Sequence, residues 1–267
     1  MRIYRCIFCS HELTGTRTKE HVIPVWLQQH LGITDAMLSP TRYSGKTGEV
    51  LSTRSHGING LVAGRVCSTC NNGWMSQLEI VSMPILISLM ATRRPVSDLT
   101  GAEKTTLARW AAKTAYVLNF SSNSVKNVPL EHMRYLYRNG TALPNGVTVC
   151  AQQHNPTMKF NWLQGAQWQI LNTTDVGDEV RNKLSENGYK ITLQLQSLLF
   201  TVGHLPHPPL KFSFWNGIHL PLWPTHGIYA WYEKDGFPWN DSRMAIHYFH
   251  AGLLALYDED PSHNQVV

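Results

Sequence analysis

Two pairs of closely spaced cysteines, "CIFC" at Cys6 and Cys9 and "CSTC" at Cys67 and Cys70, constrain this chain more than any other feature. They hold four of its five cysteines. A Cys-x-x-Cys turn sets two thiolates on one side of the backbone, and two such turns supply the four tetrahedral ligands of a structural zinc site. The ion then closes the segment of 57 residues between Cys9 and Cys67, whose ends would otherwise be held together against chain entropy. Coincidental thiol pairs, or a redox Cys-x-x-Cys, are the competing readings. The stretch "MRIYRCIFCSHELTG" lacks the apolar run of a signal peptide. The longest apolar run, Ile80 to Met90, contains Pro84 and is too short to span a bilayer. The expectation is a cytoplasmic protein without a membrane segment, in which thiols stay reduced and the pairs bind Zn2+. Cys150, the fifth, reads as a buried strand residue.

Charge is spread unevenly along the 267 residues. Residues 1–140 carry 16 Lys/Arg against 8 Asp/Glu, and residues 141–267 carry 7 against 10. A basic front half suits a polyanionic partner such as nucleic acid, although no dense basic tract is present and a merely solvated surface fits equally well.

The hydrophobic pattern predicts an α+β chain: an N-terminal zinc-stabilised unit, a helical middle to about residue 140, and a β-rich C-terminal half. Domain boundaries are expected at 1–92 and 93–267. A helix is predicted near Val25 to Leu31, followed by a glycine- and loop-rich region over 32–65 with short extended pieces such as "GEVLSTRS". A second helix is predicted from about Asn71, with Trp74, Leu78 and Val81 on one face. "TGAE", with Thr100 and Glu103, is a capping box opening a long helix whose buried stripe is Leu107, Trp110, Ala111, Thr114, Val117 and Leu118. Another helix begins at Pro129 and stops at Gly140. Beyond it, "GVTVCAQQ", "AQWQILNT", "YKITLQLQSLLFTVGH", "KFSFW" and "MAIHYFHAGLLALYD" read as strands of one antiparallel sheet with few helices.

Between the cysteine pairs stands "TKEHVIP". Phosphodiester hydrolysis needs a base to activate water and a cation to stabilise the leaving oxygen. A histidine serves the first purpose, and hard oxygen donors holding hydrated Mg2+ or Mn2+ serve the second. Neighbours on a strand point to opposite faces, so Glu20 and His21 need a division of labour or a bulge to work together.

The combination "CIFC … KEHVIP … CSTCNN" resembles the HNH (His-Me finger) endonucleases of the four-cysteine type, over roughly residues 1–80. The resemblance implies a treble-clef-like ββα motif tied by zinc at Cys6, Cys9, Cys67 and Cys70. It implies His21 as general base, with Glu20 and Asn71 holding a catalytic Mg2+ or Mn2+, and Asn72 replacing Asn71 if the helix start is shifted. It implies hydrolysis of DNA, double-stranded because the motif lays its helix against a minor groove, and fits an anti-phage defence or restriction effector. The chain departs from the family in lacking an Asn just before the second cysteine pair and in the length of the segment from His21 to Cys67. His56, Asn59, Arg65 and Lys19 are substrate-binding candidates, with Arg5, Arg17, Arg54, Arg93 and Arg94 as further phosphate contacts. Glu79 reads as a helix-surface residue, and Trp74 as core. His204, His207, His219 and His226 show no recurring ligand spacing. A homodimer or an activating partner is expected to act through the C-terminal half. The reading from another class is a non-catalytic zinc module that binds nucleic acid or protein and has no need of Glu20, His21 and Asn71.

Overall fold

The computed structural model describes residues 3–13, 18–44, 47, 49–122, 125–154, 158–165, 168–171, 177–206, 210–224, 229–235 and 244–257. The front opens with the Cys6–Cys9 turn and β1 (Thr18–His21), then α1 (Val25–Leu31). Gly32, at φ 61°, ends α1 and turns its N–H back to the carbonyls of Gln28 and Gln29, a left-handed conformation that glycine adopts without a Cβ clash. The loop-rich segment contains four short strands: β2 (Met37–Leu38), β3 (Thr41–Tyr43), β4 (Val50–Thr53), within the expected extended piece "GEVLSTRS", and β5 (His56–Gly57). They nest as an exposed ribbon, β2 with β5 and β3 with β4. β6 (Val62–Val66) then returns to pair antiparallel with β1, Thr18 opposite Val66 and His21 opposite Val62. A bulge lies between Thr18 and Glu20.

The helix after β6 begins one turn earlier than predicted. Cys67 is its N-cap, its Sγ accepting the Cys70 N–H at 3.4 Å, and α2 (Ser68–Cys70) follows at once. Asn71–Met75 form a wide π-type turn with Gly73 out of helical conformation, and α3 (Ser76–Met90) continues. Leu78 is buried as expected, but Val81 is 51% exposed. The combined run Ser68–Met90 is long and apolar enough by composition to cross a membrane, which the shorter run Ile80–Met90 was not expected to be. Leu86 and Leu89 are nonetheless fully enclosed by protein.

α4 (Gly101–Ser121) organises the middle. Its predicted capping box is present in both directions, and Arg94 pairs with the same Glu103 at 2.5 Å. The helix is buried not along a stripe but around its circumference from Leu107 to Asn119, including Arg109 and Lys113. Such burial follows from its neighbours: α3 and β6 on one side, and the main sheet on the other. α5 (Leu130–Arg138) starts after Pro129, as its sequence requires.

The back half forms two sheets where one was expected. β7 (Val147–Gln153), β8 (Phe160–Gly165), β9 (Ile170–Leu171), α6 (Asp178–Asn187), β10 (Tyr189–Leu195), β11 (Leu198–His204), β12 (Leu210–Trp215), β13 (Leu220–Trp223) and β14 (Tyr229–Tyr232) follow in order. α7 (Ala245–Gly252) and β15 (Leu254–Tyr257) complete the described chain. An antiparallel sheet runs β13-β7-β11-β10-β8, and a mixed sheet runs β14-β12-β15-β9 with two parallel pairings. "MAIHYFHAG" is helical, against the strand expectation, and buries Ile246 and Phe249 one helical turn apart. The first sheet is covered on both faces: Val149, Phe200, Ile191 and Leu193 join the core containing α4, while Cys150 and Leu199 join a second core with Phe214 and Phe249. Near-continuous apolar strands such as β11 are the sequence trace of that double covering. The first core includes residues on both sides of position 92, from Cys6 to Leu222, so packing is continuous across the expected boundary.

Several histidines are enclosed. His132 hydrogen-bonds through Nδ1 to the Tyr189 hydroxyl at 2.9 Å, and Tyr189 donates to Tyr116 at 3.0 Å. Burial, with the nearby His204, pushes His132 down to about 3. Burial likewise pushes His219 to about 4 and His250 well below the usual range. These groups take up protons more readily unfolded than folded, so stability is unaffected above about pH 6.5 and is lost as pH falls from there toward 4. Each histidine contributes a slope of up to about 1.4 kcal/mol per pH unit in that window. Urea midpoints are therefore expected to fall from pH 7 to pH 5, and equal midpoints would contradict the enclosure of these rings.

Candidate metal centre and surrounding residues

The Cys6–Cys9 turn reaches β6 through backbone: Ile7 N–H donates to the Arg65 carbonyl at 2.9 Å. This brings the two cysteine pairs together, and the four Sγ atoms lie within 4.8 Å of one another. Cys9 Sγ and Cys67 Sγ stand 3.5 Å apart. A tetrahedron with Zn–S bonds of about 2.3 Å has edges of roughly 3.8 Å, so the cluster has the size a metal requires. All four are free thiols. The Cys67 N–H donates to Cys6 Sγ at 3.4 Å and the Cys70 N–H to Cys67 Sγ at 3.4 Å, stabilising charge on sulfur. Hydrogen bonding from Cys70 draws Cys6 down to about 4, and burial raises Cys9 to about 11. Cys6 and Cys70 are buried, as a closed structural site needs. These four cysteines are positioned to bind a metal ion and are consistent with structural zinc. Among the described residues they form the one such group of His, Cys, Asp or Glu.

Glu20 turns inward. Its side chain is 11% exposed, and Oε1 lies 3.7 Å from Nζ of Lys113, which is fully buried. Lys113 is bound more tightly by Glu79, whose Oε2 also accepts the indole N–H groups of Trp26 and Trp110, each at 2.9 Å. Burial alone would lower the Lys113 amine, but Glu79 and Glu20 outweigh it and raise the pKa. Burial raises the Glu20 carboxyl, opposed by Lys113 and reinforced by Glu79. Glu79 is thus not a helix-surface residue, contrary to expectation. It joins α1, α3 and α4, and through Lys113 the β1 strand, in one buried polar network. Lys113 was missed because a lone lysine among alanines on a helix reads as solvent-facing. The one sequence hint was its place three residues after Trp110, on the buried side.

His21 follows Glu20 on the strand, and burial alternates as strand geometry requires, Glu20 buried and His21 half-buried. The His21 ring makes no hydrogen bond to a described residue. Asn71 lies directly after the metal turn, its N–H bonded to the Cys67 carbonyl at 3.0 Å. No described hydrogen bond or ion pair joins His21 to Glu20, Asn71, His56 or Asn59. His56 and Asn59 occupy the end of the ribbon instead: His56 Nδ1 meets the Gly57 carbonyl at 3.1 Å, and Asn59 donates to the Thr34 carbonyl at 3.1 Å. Arg65 donates to the Arg5 carbonyl at 3.2 Å and lies 5.6 Å from the Phe120 ring centre, which commits its base to the frame. Arg5 pairs with Glu12 and Arg94 with Glu103. Lys19 is exposed, and Arg17 lies outside the described residues. Trp74 is half-buried, edge-on to Phe8 at 5.2 Å.

Of the C-terminal histidines, His204 meets the Asn187 carbonyl and His219 meets the Phe249 carbonyl and the Trp215 N–H, as core residues do. His207 and His226 lie outside the described residues. Cys150 is a buried strand residue, as expected. Neither a protein-family profile, a curated protein nor a solved structure matches this chain.

Proposed function

We propose that the chain is a divalent-metal-dependent endonuclease acting on double-stranded DNA, with a zinc-tied hairpin and helix of HNH type as its working unit. The observation that carries this reading is His21: a half-buried ring without a hydrogen-bond partner among the described residues, next to Glu20, on a strand pair closed by four cysteines and followed at once by a helix. An unengaged imidazole is free to take a proton from water. Mg2+ or Mn2+, held by the oxygen donors of Glu20 and Asn71, supplies positive charge for the phosphate and the leaving oxygen. The Lys113 contact at 3.7 Å leaves other lone pairs of the Glu20 carboxylate available, and the Glu79–Lys113 pair holds the strand that carries both Glu20 and His21. Lys19 and the basic front half attract the duplex. The C-terminal half is assigned to substrate choice, dimerisation or activation, in the setting of phage defence or restriction.

The test is cleavage of supercoiled plasmid with Mg2+ or Mn2+. His21→Ala is expected to lower the rate by about 10²- to 10⁴-fold while retaining zinc and melting behaviour. Equal rates for His21→Ala and the unaltered protein would overturn the assignment. The second reading, a zinc module that binds nucleic acid without cutting it, draws on Glu20 being charge-paired with Lys113. It predicts a gel shift of duplex DNA with no cleavage under either metal.

A further inference from the structure

Among elements of the back half, a cavity of about 520 Å3 opens between α6, α7 and the strands β9 and β10. Pockets of roughly 300–1,000 Å3 accept small organic ligands. Trp168, Ile170 and Leu184 supply apolar lining, and Lys190, Arg181 and His250 supply the polar groups. No carboxylate lines it among the described residues.

Lys190 is the unusual member. It sits inside β10, opposite Gly203 on one neighbouring strand and Gly165 on the other. The glycines matter here, because a Cβ on Gly203 would come within 2.9 Å of the Trp168 ring. The space Gly203 leaves admits Trp168, and Lys190 Nζ lies 4.6 Å from that ring's centre. Lys190 is 2% exposed, its amine donates to the Leu253 carbonyl at 2.8 Å, and no carboxylate of a described residue pairs with it. The Trp168 N–H is buried without a hydrogen-bond partner. His250 is already engaged, its Nδ1 lying 2.8 Å from the Thr192 hydroxyl. A buried ammonium lacking a counter-charge is unfavourable, and burial pulls the Lys190 amine down to about 7. Lys113, equally buried, holds two carboxylates. Lys190 has instead an open cavity.

We infer that this cavity binds a small organic anion, its phosphate or carboxylate group meeting Lys190 and Arg181 and its flat apolar body lying against Trp168 and Ile170. The anion provides the counter-charge that no described residue gives Lys190, and the aromatic wall selects the body. The inference stands independently of the nuclease reading, since none of these residues belongs to the hairpin.

The probe is pyridoxal 5′-phosphate, an anionic aromatic aldehyde, applied to the full chain. The Lys190 amine adds to the aldehyde and expels water, and borohydride then delivers hydride to the imine, leaving a stable secondary amine that peptide mass spectrometry locates. Lys190 is expected to be labelled about tenfold faster than exposed Lys19, and Arg181→Glu, at the cavity mouth, to slow labelling by about fivefold or more at unchanged melting temperature. Phenyl phosphate and benzoate are then added as competitors, and whichever protects Lys190 identifies the head group. Labelling of Lys190 no faster than Lys19, or labelling that neither competitor nor Arg181→Glu reduces, would overturn the inference.

Discussion

Cys70→Ser is expected to abolish metal binding and to unfold the front of the molecule while leaving the two sheets of the back half in place. Metal binding by four thiolates contributes folding free energy, about 10–16 kcal/mol in zinc-finger peptides, because no preformed site exists in the unfolded chain. Here a metal on the four thiolates would tie the first turn to β6 across the segment from Cys9 to Cys67, and Cys70 is 1% exposed, so serine also leaves an unsatisfied hydroxyl in the core. Besides the cluster, residues 3–13 are fastened by the buried side chains of Ile7 and Phe8, the Ile7 bond to Arg65 and the Arg65 bond to Arg5. Limited proteolysis should cut the variant, and the chelated native protein, within residues 1–66 while the strands after residue 140 stay protected. Cys150→Ala is the control, since its thiol lies in the second core and reaches the Thr201 carbonyl at 3.9 Å rather than the cluster. An unchanged proteolytic pattern for Cys70→Ser would remove the metal from the account of the fold.

The next largest effect is expected at Lys113. Lys113→Met keeps the length of the side chain but leaves the Glu20 and Glu79 carboxylates enclosed without a cation. Removing one partner of a buried ion pair costs about 3–5 kcal/mol, which in a chain of this size lowers the melting temperature by about 10 °C. Glu79→Gln should be milder, because an amide oxygen still accepts from Trp26 and Trp110. The Lys113→Met deficit has a pH signature. With the lysine gone, the Glu20 carboxyl, already raised by burial, loses the charge that opposes that rise, so the folded variant binds protons more readily and the deficit shrinks as pH falls from 8 to 5. A deficit independent of pH would mean that Lys113 acts through packing alone.

How much could be read from the sequence differs by region, and the reasons are physical. The cysteine cluster was readable because ligand spacing is local within each pair, and only the closure between pairs had to be inferred. The α4 cap was readable for the same reason: Thr100 and Glu103 meet within one helical turn. What could not be read was long-range. The network of Glu20, Glu79 and Lys113 joins residues far apart in sequence, and a charged residue is buried only when distant partners enclose it. Of the ribbon β2–β5 only the piece holding β4 was readable in the glycine-rich sequence, because its strands are two to four residues long and exposed. "MAIHYFHAG" misled because aromatic and branched residues favour strands, whereas tertiary packing of Ile246 and Phe249 decides for helix.

The central claim is that four thiolates bind one metal and so organise the hairpin and helix on which His21 stands. Its most direct test is elemental analysis of the full chain, followed by substitution with Co2+ and reading of its thiolate absorption. One zinc per chain and the intense visible bands of a tetrahedral four-sulfur cobalt site, both lost in Cys70→Ser, are predicted. A chain that purifies folded without zinc and gives no such cobalt spectrum would contradict it.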